Sequence, residues 1–141
     1  MMEDFLSHEV YKALRHAYHS IRKELHNRLA ENGITWPQFH ALYHIEDDGI
    51  PTHELAKELK CNASNMTGLI DRMVENNWVY RASCAQDRRV WIIKLTDEGK
   101  KLKAELLPKH KRNIEELLGV LNQDELMELK TLLNKLIKRG N

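Results

Sequence analysis

The chain has little of what a disulfide-built or membrane-embedded protein needs. Two cysteines in 141 residues are too few for a disulfide scaffold. Its apolar runs, such as Leu117–Leu121, are only a few residues long, whereas roughly 18 are needed to span a bilayer. Three prolines and six glycines leave few obligatory breaks and point to a mostly helical chain. The N-terminus lacks the basic flank and apolar core of a signal peptide, so the expected location is the cytoplasm. No Gly-rich phosphate loop, nucleophile elbow or metal-hydrolase helix occurs, so neither an enzyme nor a cofactor is expected. Excess charge is missing too. The 22 Lys+Arg nearly cancel the 21 Asp+Glu, for a net +1, which excludes a polycationic nucleic-acid coat and an acidic tail.

What is present is globular: 42% apolar and 30% charged residues, enough for one domain or one compact body with a helical extension. Charge is unevenly placed. Residues 1–51 carry five basic and eight acidic side chains, 52–96 seven and five, and 97–141 ten and eight. Only the first segment is net acidic, and any anionic partner must be recognised by placed groups rather than bulk charge.

Val10, Leu14, Ala17, Ile21, Leu25 and Leu29 recur at helical spacing, predicting a long first helix from about Phe5 or Ser7 to Asn32-Gly33. Thr35-Trp36-Pro37-Gln38 reads as a helix start with a capping box and Pro in the first turn. Asp47-Asp48-Gly49-Ile50-Pro51 breaks that helix. Thr52 opens a short third helix, and Lys60-Cys61-Asn62 connects it tightly to a fourth, at about 63–76, with the stripe Met66, Leu69, Ile70, Met73 and Val74. Two β-rich runs follow, Trp78–Ser83 and Arg89–Leu95, joined by polar Cys84–Arg88, which predicts a hairpin. Thr96-Asp97-Glu98 restarts helix toward Asn122, with Pro108 expected to kink it. Asn122-Gln123-Asp124-Glu125 opens the last helix.

Two short helices followed by a hairpin make a winged helix-turn-helix, in which the second helix enters the major groove N-terminus first. That helix start carries Asn62, Ser64, Asn65, Thr67 and Gly68 opposite its apolar stripe, short groups suited to base edges and phosphates. For Asn62 and Ser64 the competing role is capping; for the other three it is a solvated face. The hairpin tip offers Asp87, Arg88 and Arg89. An arginine there reaches a minor groove, and Asp87 either orients it or serves the turn, or does both. Trp78 and Trp91 read as cross-strand packing.

Three runs, Asn65-Met66-Thr67-Gly68-Leu69-Ile70-Asp71-Arg72-Met73-Val74, then Asp87-Arg88-Arg89, then Leu95-Thr96-Asp97-Glu98-Gly99, resemble the signature of the MarR family of transcriptional regulators. In this order and spacing the resemblance spans essentially the whole chain. It implies a homodimer on double-stranded DNA with a palindromic operator, usually repressing. It implies a dimerisation helix in residues 1–34, a DNA-binding domain in 35–99 with its wing at about 78–95, and dimerisation helices in 100–141. It makes Arg89 the minor-groove arginine and Asp87 its partner. Arg72 then supports the wing or meets phosphate, and Asp71 bonds a basic residue nearby. Asn77 stands where the family often has Gly, and Asn tolerates the same backbone.

The resemblance also implies an effector pocket where the first, second and fifth helices meet the winged domain. Arg15, His19, Trp36, His40, Tyr43 and His44 are candidates there, offering aromatic walls and a cation for a small phenolic or aromatic acid; Trp36 and Tyr43 equally suit a core. Eight histidines include the helix-face pairs His16/His19 and His40/His44, but no dense Cys/His cluster, so no metal is expected. Cys61 and Cys84 flank the recognition helix and the wing loop. They suit either a redox-sensing regulator, aided by Lys60 or Arg81, or small buried positions. A winged-helix protein-interaction module is the remaining alternative.

Overall fold

The computed structural model describes residues 2–139, with side-chain environments from residue 5 onward. Six helices and three short strands follow in the order α1 Met2–Glu31, α2 Trp36–His44, β1 Ile50–Pro51, α3 Thr52–Leu59, α4 Ala63–Glu75, β2 Val79–Ser83, β3 Trp91–Leu95, α5 Asp97–Leu118 and α6 Gln123–Lys138. The fold is mainly helical with a small antiparallel wing.

Local chemistry sets most boundaries. Gly33, at φ 74°, closes α1. At α2, Thr35 Oγ1 accepts from the Gln38 N–H while Gln38 Oε1 accepts from the Thr35 N–H, the reciprocal cap expected there. That bond also gives a partner to the side-chain oxygen of Gln38, a buried polar residue. Thr96 and Asn122 cap α5 and α6 through the Gly99 and Glu125 N–H groups. Lys60 and Asn77 adopt left-handed conformations, at φ 53° and 61°. Lys60 terminates α3 so that α4 can cross it; Asn77 turns α4 into the wing.

Three features differ from the sequence expectation. α1 begins at Met2, ahead of Phe5. α5, with Pro108 inside it, ends at Leu118 rather than Asn122. The segment 47–51 is more than a helix break: Ile50 and Pro51 pair with Ile93 and Ile92, making β1 the outer strand in the order β1-β3-β2. A two-residue strand carries no periodicity, and Pro at a sheet edge costs no ladder bond. Gly49, at φ 83°, is needed beside it, since a Cβ there would lie 2.7 Å from Ile92 Cγ2 and 2.9 Å from the Ile93 carbonyl.

The core lies inside the winged unit and reaches into the scaffold at both ends. Phe39, Leu42, Ile45, Leu55, Met66, Ile70, Met73, Val79 and Ile93 pack with Leu29 of α1 and Leu106 of α5. Two polar ties hold α5 in place. Lys103 Nζ donates to the Ile45 carbonyl at 2.7 Å, covering the end of α2. Arg28 of α1 donates to Asn113 at 2.9 Å and Glu116 at 2.8 Å on α5. By contrast, α6 buries none of its residues, and Phe5, Leu6, Val10, Tyr11 and Tyr18 on α1 stay exposed.

Candidate nucleic-acid interface

The start of α4 is polar and open because its large apolar residues there are turned the other way; Val74, expected in the same stripe, is exposed at the far end of the helix. Met66, Leu69, Ile70 and Met73 are buried, while Asn62, Ser64, Asn65 and Thr67 are exposed. Asn62 is the N-cap, its Oδ1 accepting from the Asn65 N–H at 2.8 Å. That bond uses the side-chain oxygen and leaves the amide hydrogens out of the cap. Thr67 donates its hydroxyl proton to the Ala63 carbonyl at 3.0 Å and presents lone pairs outward. Gly68 is not required by the chain itself: a Cβ there would meet only the mobile end of Arg72, at 3.5 Å. Gly68→Ala is therefore expected to raise stability in thermal unfolding, by about 0.5–1 kcal/mol, by removing helix-interior glycine. A simultaneous loss of duplex affinity would show that a ligand comes close to this backbone.

Across a groove of about 620 Å³ from α4 lies the wing, with Thr67 and Asp71 on one wall and Arg81, Arg89 and Trp91 on the other. Arg81 Nη2 donates to Asp71 Oδ1 at 2.6 Å, tying strand β2 to the recognition helix. The basic residue expected beside Asp71 is therefore Arg81. Arg72 makes no hydrogen bond to the wing among the described residues; it sits one turn after Gly68, on the opposite cleft. Wing support thus falls to Arg81.

The tip is a turn closed by the Val90 N–H on the Asp87 carbonyl, at 3.1 Å. Asp87 Oδ1 accepts from the Arg89 backbone N–H at 3.0 Å and from Arg89 Nε at 3.2 Å. The Arg89 backbone bond first, and its side-chain bond second, hold the Asp87 carboxyl below its ordinary range. Asp87 is thus both turn residue and orienting partner. Arg89 nevertheless stays 91% exposed, and Arg88 is exposed beside it. The guanidinium is aimed but unspent, which is the state a groove-inserting arginine needs.

On the other side of α4 a cleft of about 680 Å³ is lined by Trp36 and His40, with Arg22, Cys61, Ser64 and Arg72 among its neighbours. Arg15, His19, Tyr43 and His44 are not part of that lining. Arg15 and His19 are exposed on α1, N-terminal to Arg22. Tyr43 and His44 lie one turn beyond His40, where His44 Nδ1 is 3.9 Å from Glu58 of α3. Instead, Trp36 gathers three histidines. His26 stacks on it at 4.7 Å, while His40 and His110 lie 4.5 and 5.7 Å away, with Phe39 beside both. His26 and His110 are separated by most of the chain, which is why no sequence spacing revealed this cluster. Among the described residues no three His, Cys, Asp or Glu side chains are placed to hold a metal ion. Both cysteines are free and half-buried. Cys61 Sγ lies 3.6 Å from Met66 Sδ and Cys84 Sγ 3.3 Å from Gln86 Oε1. Among the described residues no helix is long and apolar enough to cross a membrane.

Comparison with known proteins agrees with this geometry. The sequence model of the MarR family matches residues 34–91. The HTH-type transcriptional regulator YsmB of Bacillus subtilis is 31% identical over 129 residues, covering 91% of this chain and 88% of its own. A MarR-like transcription regulator of Bacillus cereus superposes with a TM-score of 0.85 at 25% identity, over 97% of this chain and 99% of that one. A mutant of E. coli MarR, solved with operator DNA, superposes with a TM-score of 0.78 at 27% identity, over 91% and 93% of the two chains. Motif order, capped helices, wing and whole-chain superposition agree, and the chain belongs to the MarR family of transcriptional regulators.

Proposed function

We propose that the protein is a homodimeric repressor that binds an inverted-repeat operator in the cytoplasm. Residues 35–99 form the DNA-binding domain; residues 1–34 and 100–141 provide the dimerisation helices. Asn62, Ser64, Asn65, Thr67 and Gly68 of α4 face the major groove, Arg72 and Arg88 face phosphates, and Arg89, aimed by Asp87, enters the minor groove. The observation that carries this reading is an exposed polar α4 start whose Thr67 lines one groove with the exposed, carboxylate-held Arg89, while Ser64, Asn65 and Gly68 open on the cleft behind it. The bound form of E. coli MarR supports it. A small aromatic or phenolic acid in the Trp36–His40 cleft would compete with DNA for Ser64 and Arg72, making the regulator ligand-responsive.

The test is a titration of parent, Arg89→Ala and Ser64→Ala proteins against a duplex selected from random sequences, at several salt concentrations. Arg89→Ala is expected to lose roughly 10- to 100-fold in affinity, about 1–3 kcal/mol for a placed groove contact. The parent should weaken steeply with salt through counterion release. Unchanged binding by Arg89→Ala sinks the wing assignment. Absence of salt-dependent duplex binding by the parent sinks the regulator reading and favours a protein-interaction module.

A further inference from the structure

We infer that the His26–His40–His110 cluster around Trp36 is a proton-sensitive clamp that loosens the grip on operator DNA under mild acidification. The inference rests on the DNA-binding reading above. The cluster joins three elements at one point: His26 on α1, Trp36 and His40 on α2, and His110 on α5. Helices α1 and α5 belong to the scaffold, whereas α2 belongs to the winged unit. Trp36, Pro37 and His40 line the same cleft as Ser64, Asn65 and Arg72 of α4. Any change in how α2 sits against α1 and α5 is therefore passed to the recognition helix.

The rings are packed in a way that has no provision for charge. His40 Nε2 and His110 Nδ1 are buried and have no hydrogen-bond partner among the described residues. His26 Nε2 accepts from Arg22 Nε at 3.3 Å, a cation in place of a proton. The titratable groups facing His40 are His110 of α5, His44 of its own helix and His26 of α1, so each added proton repels the next. Glu58 of α3 lies 3.9 Å from His44 and lines the cleft with Trp36 and His40, where the cations Arg22, Lys60 and Arg72 outnumber it. A charged imidazole gains cation–π attraction against an indole face. Only His26 is stacked face to face on Trp36, at 17°; His40 and His110 are tilted at 52° and 64°.

Burial, the largest cause for all three rings, holds them below their ordinary value of 6.5, helped by Arg22 at His26 and by the neighbouring histidines at His40. The packed arrangement therefore binds fewer protons than one in which the rings meet water. Well above 6.5, once even water-exposed rings have lost their protons, both arrangements are neutral and pH has no leverage. Below it, acidification favours the opened arrangement until the depressed values are passed. Charging separates α2 from α1 and α5, and the clamp opens. Exposed His53 lines the α4–wing groove itself, so it is replaced before the clamp is tested.

The test removes His53 first. His53→Gln protein is titrated with the duplex selected from random sequences, at constant ionic strength, between pH 7.5 and pH 5.5. Its affinity is expected to fall roughly tenfold, within the range of coupled sites. The variant that also carries His40→Gln and His110→Gln is expected to change less than about twofold. Equal pH slopes in the two proteins overturn the clamp. If the triple variant does not fold, calorimetry of the His53→Gln protein decides, with duplex binding at pH 6 measured in two buffers of unlike ionisation enthalpy. Net proton release on binding supports the clamp; uptake or no exchange overturns it. Failure to bind duplex at pH 7.5 is a different outcome, and overturns the DNA-binding reading together with the clamp's output.

Discussion

Replacing both Leu132 and Leu136 with aspartate is expected to yield a monomer that binds the operator at least about 100-fold more weakly than the parent. These leucines are 53% and 47% exposed, and stand one turn apart on α6. Leu129 extends the same face of α6, and Phe5, Leu6 and Val10 on α1 match it in character. A helix so apolar and so uncovered needs a second surface, and a symmetric second copy supplies an identical one. Two carboxylates facing their symmetry mates would be buried without partners, a cost the interface cannot absorb.

The DNA consequence follows from geometry. A dimer engages its second half-site at an effective concentration near millimolar, an advantage a monomer lacks. Sedimentation measures the state and anisotropy the affinity. A variant that stays dimeric, or a monomer that binds as tightly as the parent, refutes the assignment of residues 1–34 and 100–141 to dimerisation. Single substitutions would be weaker tests, because the surface is spread over several turns.

Gly99→Ala is expected to lower stability by about 3 kcal/mol, the upper part of the usual range for forced overpacking. In a domain of this size that is a fall in Tm of about 10 °C. A Cβ at this position would lie 2.0 Å from the Trp78 carbonyl oxygen and 2.9 Å from its carbon. Both atoms are backbone, and neither is free to move. The Thr96 N–H donates to that same oxygen at 3.0 Å. Thr96 Oγ1 accepts from the Gly99 N–H at 3.0 Å and donates to the Asn77 carbonyl at 2.6 Å. The start of α5 is thus welded to the turn between α4 and the wing. Displacing it shifts the scaffold against the DNA-reading unit, so duplex affinity should fall with stability. Thermal melts of Gly99→Ala beside Gly68→Ala give the contrast, since the second meets only a flexible side chain. A Gly99→Ala protein as stable as the parent would show that the Trp78 contact relaxes freely.

Much of the fold was legible because its signals are local. Caps at Thr35, Asn62, Thr96 and Asn122 act within three residues, and helical stripes repeat within four. The turn role of Asp87 also spans only two residues. What escaped depends on contacts distant along the chain. β1 exists because Ile50 and Pro51 meet Ile93 and Ile92. The pairing of Arg81 with Asp71 has no sequence signature, since it requires the wing to fold back on α4. The six effector candidates were grouped by residue type, and the helix axes divide them: Trp36 and His40 share a cleft that Arg15, His19, Tyr43 and His44 do not line.

The charge balance illustrates the same division. A net charge of +1 excludes an indiscriminate polycation, and the order of motifs along the chain marks a winged helix-turn-helix with an arginine at its tip. Those conclusions need only composition and neighbours, because capping, periodicity and turn chemistry act over a few residues. The tertiary structure decided which charges remain available. Asp71 is paired with Arg81, while Arg89 is held by Asp87 and still exposed. It also brought three histidines from two scaffold helices and the winged unit around one tryptophan. Burial and long-range pairing exist only once distant segments meet, and both the availability of a charge and the pKa of an imidazole depend on them.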